Sequence, residues 1–302
     1  MREIGTVDKT RKTIKDYDFK IKKKFGQNFL IDKNILGNII RQIGENKDAS
    51  IIEVGPGFGG LTELALNKFK HVLSYEIDKE MIPILSENFK DYKNFTLVNE
   101  DILKVDLNTD INKYFNENDE IIFMSNLPYY ITTPILMKVL LETKRVKRMV
   151  CLMQLEVAER ICSAKNSKDY NALSIAIQYN GKARIAFKVP NKVFIPAPDV
   201  TSALVVIDIF NEKRLNLEQE KIFYDIIRTA FAQRRKTLMN NLVNGGYEKN
   251  KILDAFKKIG INEMARPENL SCDEFIDLSL ELGAVKWKYL KRKFYLLPSS
   301  YQ

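Results

Sequence analysis

The chain has 302 residues and a formal net charge of +9, with 45% hydrophobic and 10% aromatic residues. This composition excludes a disordered or fibrous chain and provides enough apolar side chains for a main domain with a smaller companion. No stretch approaches the roughly 18 uncharged apolar residues of a membrane-spanning helix, and the first residues lack the apolar core of a signal peptide. Three separated cysteines and a single histidine predict neither a disulfide framework nor a metal site, and they favour a cytoplasmic protein.

Positive charge is concentrated at the two ends of the sequence. Residues 1–24 hold nine Lys or Arg against four Asp or Glu, and residues 286–302 hold five Lys or Arg with no acidic residue. The rest of the chain is therefore close to neutral. Two basic ends on a neutral body favour a polyanionic partner such as a nucleic acid, but lysine-rich ends also keep proteins soluble. Charge alone leaves both interpretations open.

Short apolar runs alternate with helix-like stretches between residues 49 and 210. This alternation predicts βαβ units and a mostly parallel sheet. The last two runs follow each other without a long helix between them, which predicts an antiparallel edge. An amphipathic helix is predicted ahead of the sheet, over Lys33 to Gln42. The seven predicted strands are residues 51–54, 72–75, 95–98, 121–124, 149–153, 183–187 and 203–207.

The pattern changes to helical spacing of apolar residues after residue 210. Helices are predicted over Leu217 to Leu242, Tyr247 to Ile259 and Asp273 to Leu282, with glycines as stops. The chain is therefore predicted to be an α/β protein with a small all-helical second domain. The predicted division is a basic arm over residues 1–24, the sheet domain over 25–210, the helical domain over 211–285 and a basic aromatic tail over 286–302.

A glycine-rich loop follows the first predicted strand and opens a helix, with Gly55 and Gly57 as candidate ligand-binding positions. Glycines let the backbone approach a ligand closely. Glu76 ends the next strand, where an acid can accept hydrogen bonds from both ribose hydroxyls, and Asp101 follows the strand after that, where it can accept one from an adenine amino group. Either acid alone is more typical of a solvated loop. Together they predict an adenosyl pocket, and Pro56 fits a dinucleotide fingerprint poorly.

The sequence Asn126-Leu127-Pro128-Tyr129 comes directly after the fourth predicted strand, at the sheet edge where αβ proteins bind ligands. The adenine amine is a poor nucleophile because its lone pair is delocalised into the ring. The Asn126 side-chain oxygen and the Pro128 carbonyl oxygen can accept its two hydrogens, and the Tyr129 ring can stack on the base. Phe194 is a candidate for the second face of the base, although a Phe between prolines is more often a packing residue. These residues predict methyl transfer to the amine of an adenine that has left its stack.

The sequence resembles the bacterial small-subunit ribosomal RNA adenine dimethyltransferases over roughly residues 20 to 282. Relatives of that family include large-subunit methyltransferases that confer macrolide resistance. The resemblance is carried by residues 23–30, the loop at Gly55, residues 126–134, residues 193–198 and residues 231–238.

The resemblance implies a Rossmann-like methyltransferase domain that uses S-adenosylmethionine, with further cofactor contacts at Asn28 and Leu30 in the amino-terminal arm and at Asn126. It also implies dimethylation of two adjacent adenosines in a hairpin near the 3′ end of 16S rRNA, by a monomer acting on an assembling small subunit. Two alternatives stay open: an assembly or nucleic-acid-binding factor with secondary catalysis, and a large-subunit (23S) enzyme of the resistance type. DNA adenine methylation is disfavoured, because those enzymes more often begin the motif with Asp.

Two basic stretches are candidate RNA contacts. Gln233-Arg234-Arg235-Lys236 favours the small-subunit branch of the family, although it is also typical of an exposed basic helix face. Lys22, Lys23 and Lys24 end the basic arm and are predicted to contact phosphate.

Overall fold

The structure is a computed structural model that describes residues 3–22 and 25–283. Up to residue 154 its helices and strands are α1 (Val7–Asp16), β1 (Phe29–Leu30), α2 (Lys33–Ile43), β2 (Ser50–Val54), α3 (Gly60–Leu66), β3 (His71–Tyr75), α4 (Met81–Phe89), β4 (Phe95–Val98), α5 (Leu107–Tyr114), β5 (Ile121–Asn126), α6 (Thr132–Glu142) and β6 (Val146–Gln154). They continue with α7 (Leu155–Ile161), α8 (Ala172–Asn180), β7 (Gly181–Val189), β8 (Phe194–Ile195), β9 (Ser202–Ile209), α9 (Leu217–Ala230), α10 (Leu238–Asn244), α11 (Lys249–Ile259) and α12 (Cys272–Leu282).

Seven strands form one sheet in the order β4-β3-β2-β5-β6-β9-β7. The neighbours from β4 to β6 are parallel, and β9 is antiparallel to β6. The predicted α/β class, with a mostly parallel sheet and an antiparallel strand near one edge, is confirmed. The chain leaves β2 first toward β3 and later returns to its other side with β5. Ligands of open αβ sheets bind at such a switch point, outside the carboxyl ends of the strands.

The central strands are mostly apolar because helices cover both faces of a parallel sheet. Ile51 and Ile52 of β2 and Phe123 and Met124 of β5 are all buried. Such continuous apolar runs were the signal that predicted these strands. A separate two-stranded antiparallel sheet pairs β1 with β8, joining the amino-terminal arm to the segment around Phe194.

The described chain divides into two compact units. The first contains residues 3–158 and 183–211, with residues 23 and 24 outside the description, and the second contains residues 159–182 and 212–283. The chain passes from the first unit to the second after residue 211, and the boundary predicted from the sequence was near residue 210. Residues 159–182, however, belong to the helical unit and not to the sheet domain. The reason is α8, in which every residue except Gln178 is buried, and whose Tyr179 ring packs on Phe223 of α9 at 4.6 Å.

The predicted single helix over Leu217 to Leu242 is wrong, because the chain forms two helices there with a turn between them. Thr237 caps α10 by accepting a hydrogen bond from the Asn240 N–H at 3.3 Å. The Asn241 side chain donates to the Ala230 carbonyl at the end of α9. These polar groups end one helix and start the next, which apolar spacing alone does not reveal. No helix within residues 3–22 and 25–283 is long and apolar enough to cross a membrane.

Candidate active site

A cavity lies at the carboxyl ends of β2, β3 and β5, within the first unit. The parallel order of these strands places their ends along one edge of the sheet, so residues distant in sequence meet there. The structure brings together most of the predicted site residues in the lining of this cavity. They are Asn28, Leu30, Gly55, Gly57, Glu76, Asp101, Asn126, Pro128 and Tyr129.

The glycine loop is shaped by its contact with the amino-terminal arm. Gly57 has a φ of +58°, and a Cβ on it would lie 3.0 Å from the Phe29 ring. That ring stacks on Phe58 with centroids 4.0 Å apart. A Cβ on Gly55, by contrast, would have no protein atom within 4 Å, so a side chain there would take up cavity space. The loop therefore leaves room for a ligand beside Gly55, as a bound cofactor requires.

Glu76 is a buried carboxyl group at the end of β3. Its Oε1 accepts the Asp78 N–H at 2.8 Å, and the Asn99 side chain donates to its backbone carbonyl at 2.7 Å. Burial raises the pKa of Glu76 to about 7. Asp101 is half-buried after β4, and its Oδ1 accepts the Leu103 N–H at 3.0 Å. Both side chains are thus held by backbone donors while their residues line the cavity, which suits them to accept hydrogen bonds from a ribose and a base.

The structure places Lys22 away from the predicted role in phosphate binding. Its ammonium lies 2.6 Å from Asp78 Oδ1 and 2.9 Å from Glu80 Oε1. The Gln27 side chain donates to the other oxygen of Asp78 at 2.8 Å. Two carboxylates already neutralise the Lys22 charge, so this lysine holds the arm against the loop that carries Glu76. Lys23 and Lys24 lie outside the described residues.

The orientation of the Asn126 amide is set by the amino-terminal arm. Its Nδ2 donates to the backbone carbonyl of Asn28 at 2.9 Å. The amide oxygen must then point away from that carbonyl, because nitrogen and oxygen occupy opposite sides of the planar group. Asn126 therefore keeps an acceptor for a donor outside the arm, as the predicted grip on an adenine amine requires.

The Pro128 carbonyl does not fit its predicted role as the second acceptor. It accepts the Ile131 N–H at 3.2 Å and the Thr132 hydroxyl at 3.0 Å, so both of its lone pairs are used in the turn that starts α6. Leu127, one residue earlier, also lines the cavity. Among the backbone hydrogen bonds of the described residues outside helices and strands, none ends on the Leu127 carbonyl.

Of the aromatic residues considered for stacking on a base, Tyr129 and Tyr130 line the cavity, whereas Phe194 does not. The half-buried Tyr129 is fixed by a 2.6 Å hydrogen bond between its hydroxyl and Ser202 Oγ, and burial raises its pKa. Tyr130 also lines the cavity and is 49% exposed; sequence reasoning missed it, although a second aromatic beside Tyr129 was a readable signal. Phe194 is only 3% exposed, pairs with Leu30 across β1 and β8, and is absent from the cavity lining. Its predicted stacking on a base would require it to move.

The predicted basic residues of the helical unit lie in the turn between α9 and α10, not on a helix face. Arg234, Arg235 and Lys236 are all exposed. Arg234 donates to the Lys168 backbone carbonyl, a contact within the same unit. The turn therefore presents a cluster of positive charge to solvent.

Glu53, which sequence reasoning did not single out, is a buried carboxyl group in β2 that also lines the cavity. It is 2% exposed, and its Oε2 accepts hydrogen bonds from Thr62 Oγ1 at 2.7 Å and Ser74 Oγ at 2.8 Å. Burial raises its pKa from the ordinary 4.5 to about 7. The sequence signal was a single acidic residue inside an otherwise apolar strand.

Glu53→Gln is expected to reduce the pH dependence of stability. Between pH 4.5 and about 7, Glu53 is protonated in the folded state and ionised in the unfolded state. The contribution of Glu53 to the free energy of unfolding is therefore complete below pH 4.5 and is lost as the pH rises to about 7. The loss is on the order of 3 kcal/mol. Glutamine can accept both hydroxyl hydrogen bonds on one oxygen without ionising. Urea unfolding at pH 5 and pH 8 should give a smaller difference for Glu53→Gln than for the unmodified protein or the surface variant Glu117→Gln; equal differences would contradict the assignment.

The seven-stranded sheet and its strand-end cavity of glycine loop and acids are the features of the Rossmann-like methyltransferases that use S-adenosylmethionine. The family is defined more narrowly by the sequence. Residues 18–283 match the family model described as ribosomal RNA adenine dimethylase, and the chain belongs to this family.

Its relatives cover nearly the whole chain. Ribosomal RNA small subunit methyltransferase A of Bacillus pumilus is 41% identical over 282 residues, which are 92% of this chain and 97% of that protein. The protein of the same name from Caldanaerobacter subterraneus is 44% identical over 260 residues, 86% of this chain and 96% of that one.

Solved structures agree in fold. A dimethyladenosine transferase from Plasmodium falciparum has a TM-score of 0.72 at 23% identity and covers 84% of this chain and 97% of its own. The 23S rRNA methyltransferase ErmE has a TM-score of 0.65 at 22% identity, over 84% of this chain and 99% of its own. These structures confirm the predicted fold class, and the family match and the curated relatives confirm the predicted enzyme class and its cofactor, S-adenosylmethionine.

Proposed function

We propose that the protein transfers methyl groups from S-adenosylmethionine to the exocyclic amines of two adjacent adenosines near the 3′ end of 16S rRNA, acting as a monomer on an assembling small subunit. The observation that supports this most is the position of Asn126 and Tyr129 in the same cavity as the glycine loop, Glu76 and Asp101. A group that grips an adenine amine and a group that holds an adenosyl cofactor are then neighbours. The names of the curated relatives support the small subunit as the substrate.

The cofactor would supply an electrophilic methyl group, and this chain's residues would orient it. In the proposal, the Glu76 carboxylate accepts the ribose hydroxyls and Asp101 accepts the adenine amino group. The open space at Gly55 admits the ligand beside the backbone. Asn28 and Leu30 close the cavity from the arm.

The target adenine would be activated by two acceptors and one ring. Asn126 Oδ1, turned outward by the Asn28 carbonyl, accepts one amine hydrogen. We assign the second acceptor to the Leu127 carbonyl, because the Pro128 carbonyl is already used twice. Both bonds draw the nitrogen toward tetrahedral geometry and free its lone pair. The Tyr129 ring, held by Ser202, stacks on the base, which contributes roughly 1–3 kcal/mol. After transfer the acidic nitrogen loses its proton to water.

The exposed turn at Arg234, Arg235 and Lys236 is the proposed RNA contact. Replacing all three by alanine is expected to weaken binding to rRNA about tenfold or more at physiological salt and to lower the slope of log K against log salt by about 2 units. Filter binding to a small-subunit rRNA fragment at several salt concentrations measures both quantities.

The matched control also removes three positive charges, but at other positions in the helical unit. Lys221, Lys251 and Lys258 each form an ion pair with a glutamate, at 2.8, 3.2 and 2.7 Å. Their triple alanine variant should keep most of the affinity. If both variants lose affinity equally, net charge and not the turn would explain the binding.

Methyl transfer from labelled S-adenosylmethionine to unmethylated small and large subunits tests the proposed substrate. We expect label in small subunits and little in large subunits. Label in large subunits alone would favour the alternative enzyme class, and cofactor binding without transfer to either would leave the role of an assembly factor.

A further inference from the structure

The amino-terminal segment of residues 3–16 lies against the cavity, although the family match begins only at residue 18. Ile4, Gly5 and Thr10 belong to the cavity lining together with the glycine loop. Ile4 and Thr10 are each 2% exposed, so both side chains are buried against the rest of the protein. This segment therefore forms one wall of the pocket and lies outside the residues that the family model matches.

A buried carboxylate holds the segment at the start of α3. Glu63 is 2% exposed, and its two oxygens accept the backbone N–H groups of Glu3 at 3.1 Å and Ile4 at 2.9 Å. Lys33 of α2 forms a 2.7 Å ion pair with the Glu3 side chain. Burying a charged group is costly unless it is hydrogen-bonded, so these contacts specify where the segment docks.

Gly60, the last glycine of the glycine loop, packs directly on the amino-terminal segment. A Cβ added to Gly60 would lie 3.0 Å from the Gly5 Cα and 3.4 Å from the Gly5 nitrogen, and a Cβ on Gly5 would meet the Leu36 side chain at 2.2 Å. Backbone therefore packs on backbone, which only glycine allows at such distances. Gly60 makes room for the amino-terminal segment.

Helix α1, which follows, is fixed by its amino-terminal cap and by two buried threonines. Thr6 caps α1 by accepting the Lys9 N–H at 3.3 Å, and its hydroxyl donates to the Glu3 carbonyl at 3.0 Å. Thr10 and Thr13 are the buried residues of α1. One hydroxyl thus links the anchored Glu3 to the helix that carries Thr10 to the cavity.

We propose that residues 3–16 are part of the cofactor site, and that docking of this segment and binding of S-adenosylmethionine strengthen each other. The inference rests on the proposed function, since it takes the cavity to be the cofactor site. Coupling between two binding events is reciprocal, so a ligand that contacts the docked segment must favour docking by the same factor that docking favours the ligand.

Hydrogen–deuterium exchange and calorimetry on the full chain, with S-adenosylhomocysteine as the probe, test both directions. Saturating probe is expected to slow exchange of the α1 amides at least about fivefold. Gly60→Ala should weaken probe binding about tenfold by displacing Gly5. Gly37→Ala is the control, because a Cβ there would meet only the Arg41 guanidinium at 3.9 Å. It should leave affinity unchanged.

A second pair of variants acts only through the docking of residues 3–16, because Thr6 is not part of the cavity lining. Thr6→Ala should weaken probe binding by up to about fivefold through loss of the cap, and Thr6→Ser, which keeps the hydroxyl, should restore it. The inference is overturned if the probe does not change the hydrogen–deuterium exchange of the α1 amides. It is also overturned if both Gly60→Ala and Thr6→Ala bind the probe as tightly as the unmodified protein does. The proposed function stands in both cases. If the unmodified protein does not bind the probe, the proposed function itself fails.

Discussion

Asn126→Ala is expected to lower the rate of methyl transfer about 100- to 1000-fold, the usual effect of removing one group that acts on the reacting atoms. The loss follows from geometry. The Asn126 Nδ2 is committed to the Asn28 carbonyl at 2.9 Å, which leaves Oδ1 as the acceptor for the adenine amine. Alanine provides neither group, so the amine keeps its delocalised lone pair. Single-turnover methylation of small subunits, with cofactor affinity measured in parallel, gives the rate.

Asn126→Asp sharpens this test because it keeps an oxygen of the same size. The carboxylate cannot donate to the Asn28 carbonyl, and two oxygens would face each other across 2.9 Å. We therefore expect a large loss of rate with this variant as well. Asn46→Ala, which removes a surface amide paired with Glu120, is the control and should change the rate less than about twofold. An Asn126→Ala rate within tenfold of the unmodified protein would contradict the role of this residue.

Glu76→Ala is expected to weaken S-adenosylmethionine binding about 100-fold, since it removes a charged acceptor for two ribose hydroxyls. The pH dependence carries more information. Burial holds the pKa of Glu76 at about 7 before the ligand binds, so the carboxylate is increasingly protonated as pH falls below 7. The dissociation constant should be constant above pH 8 and should rise toward tenfold per pH unit below 6.

Glu76→Gln separates this residue from its neighbour. Its binding should be weaker and nearly independent of pH, whereas Glu53→Gln should keep the pH dependence, because Glu53 is not proposed to contact the ribose. Calorimetric titration with S-adenosylhomocysteine at four pH values measures both variants. If Glu53→Gln lost the pH dependence of binding and Glu76→Gln kept it, the titrating group would be Glu53, which would contradict the role proposed for Glu76.

The sheet and the strand-end residues of the cavity could be predicted because their signals are local. The buried run at residues 51–54 became β2 over Ser50–Val54, and Glu76 and Asn126 were placed correctly by their positions at strand ends. Parallel strands bring such ends to one edge whatever the connecting helices do. That is why residues about 50 positions apart can be assigned to one pocket from the sequence.

The corrected predictions all depend on partners that are distant in sequence or on side-chain hydrogen bonds. Nothing near Lys22 reveals that Asp78 lies 2.6 Å from its ammonium. The Pro128 carbonyl is used up by Thr132, a turn contact that the motif does not specify. Residues 159–182 join the helical unit because α8 packs on α9. The apolar sequence of α8 predicts burial but does not reveal which element it packs against.

We propose that the protein uses this cavity to methylate adenine amines in small-subunit rRNA. Mass spectrometry of 16S rRNA nucleosides, after unmethylated small subunits are incubated with the protein and S-adenosylmethionine, tests it most directly. We predict N6,N6-dimethyladenosine at two adjacent positions near the 3′ end, and about 100-fold less or lower with Asn126→Ala after the same short incubation. Methylation at another base, at another atom of adenine, or equally with Asn126→Ala would contradict the account.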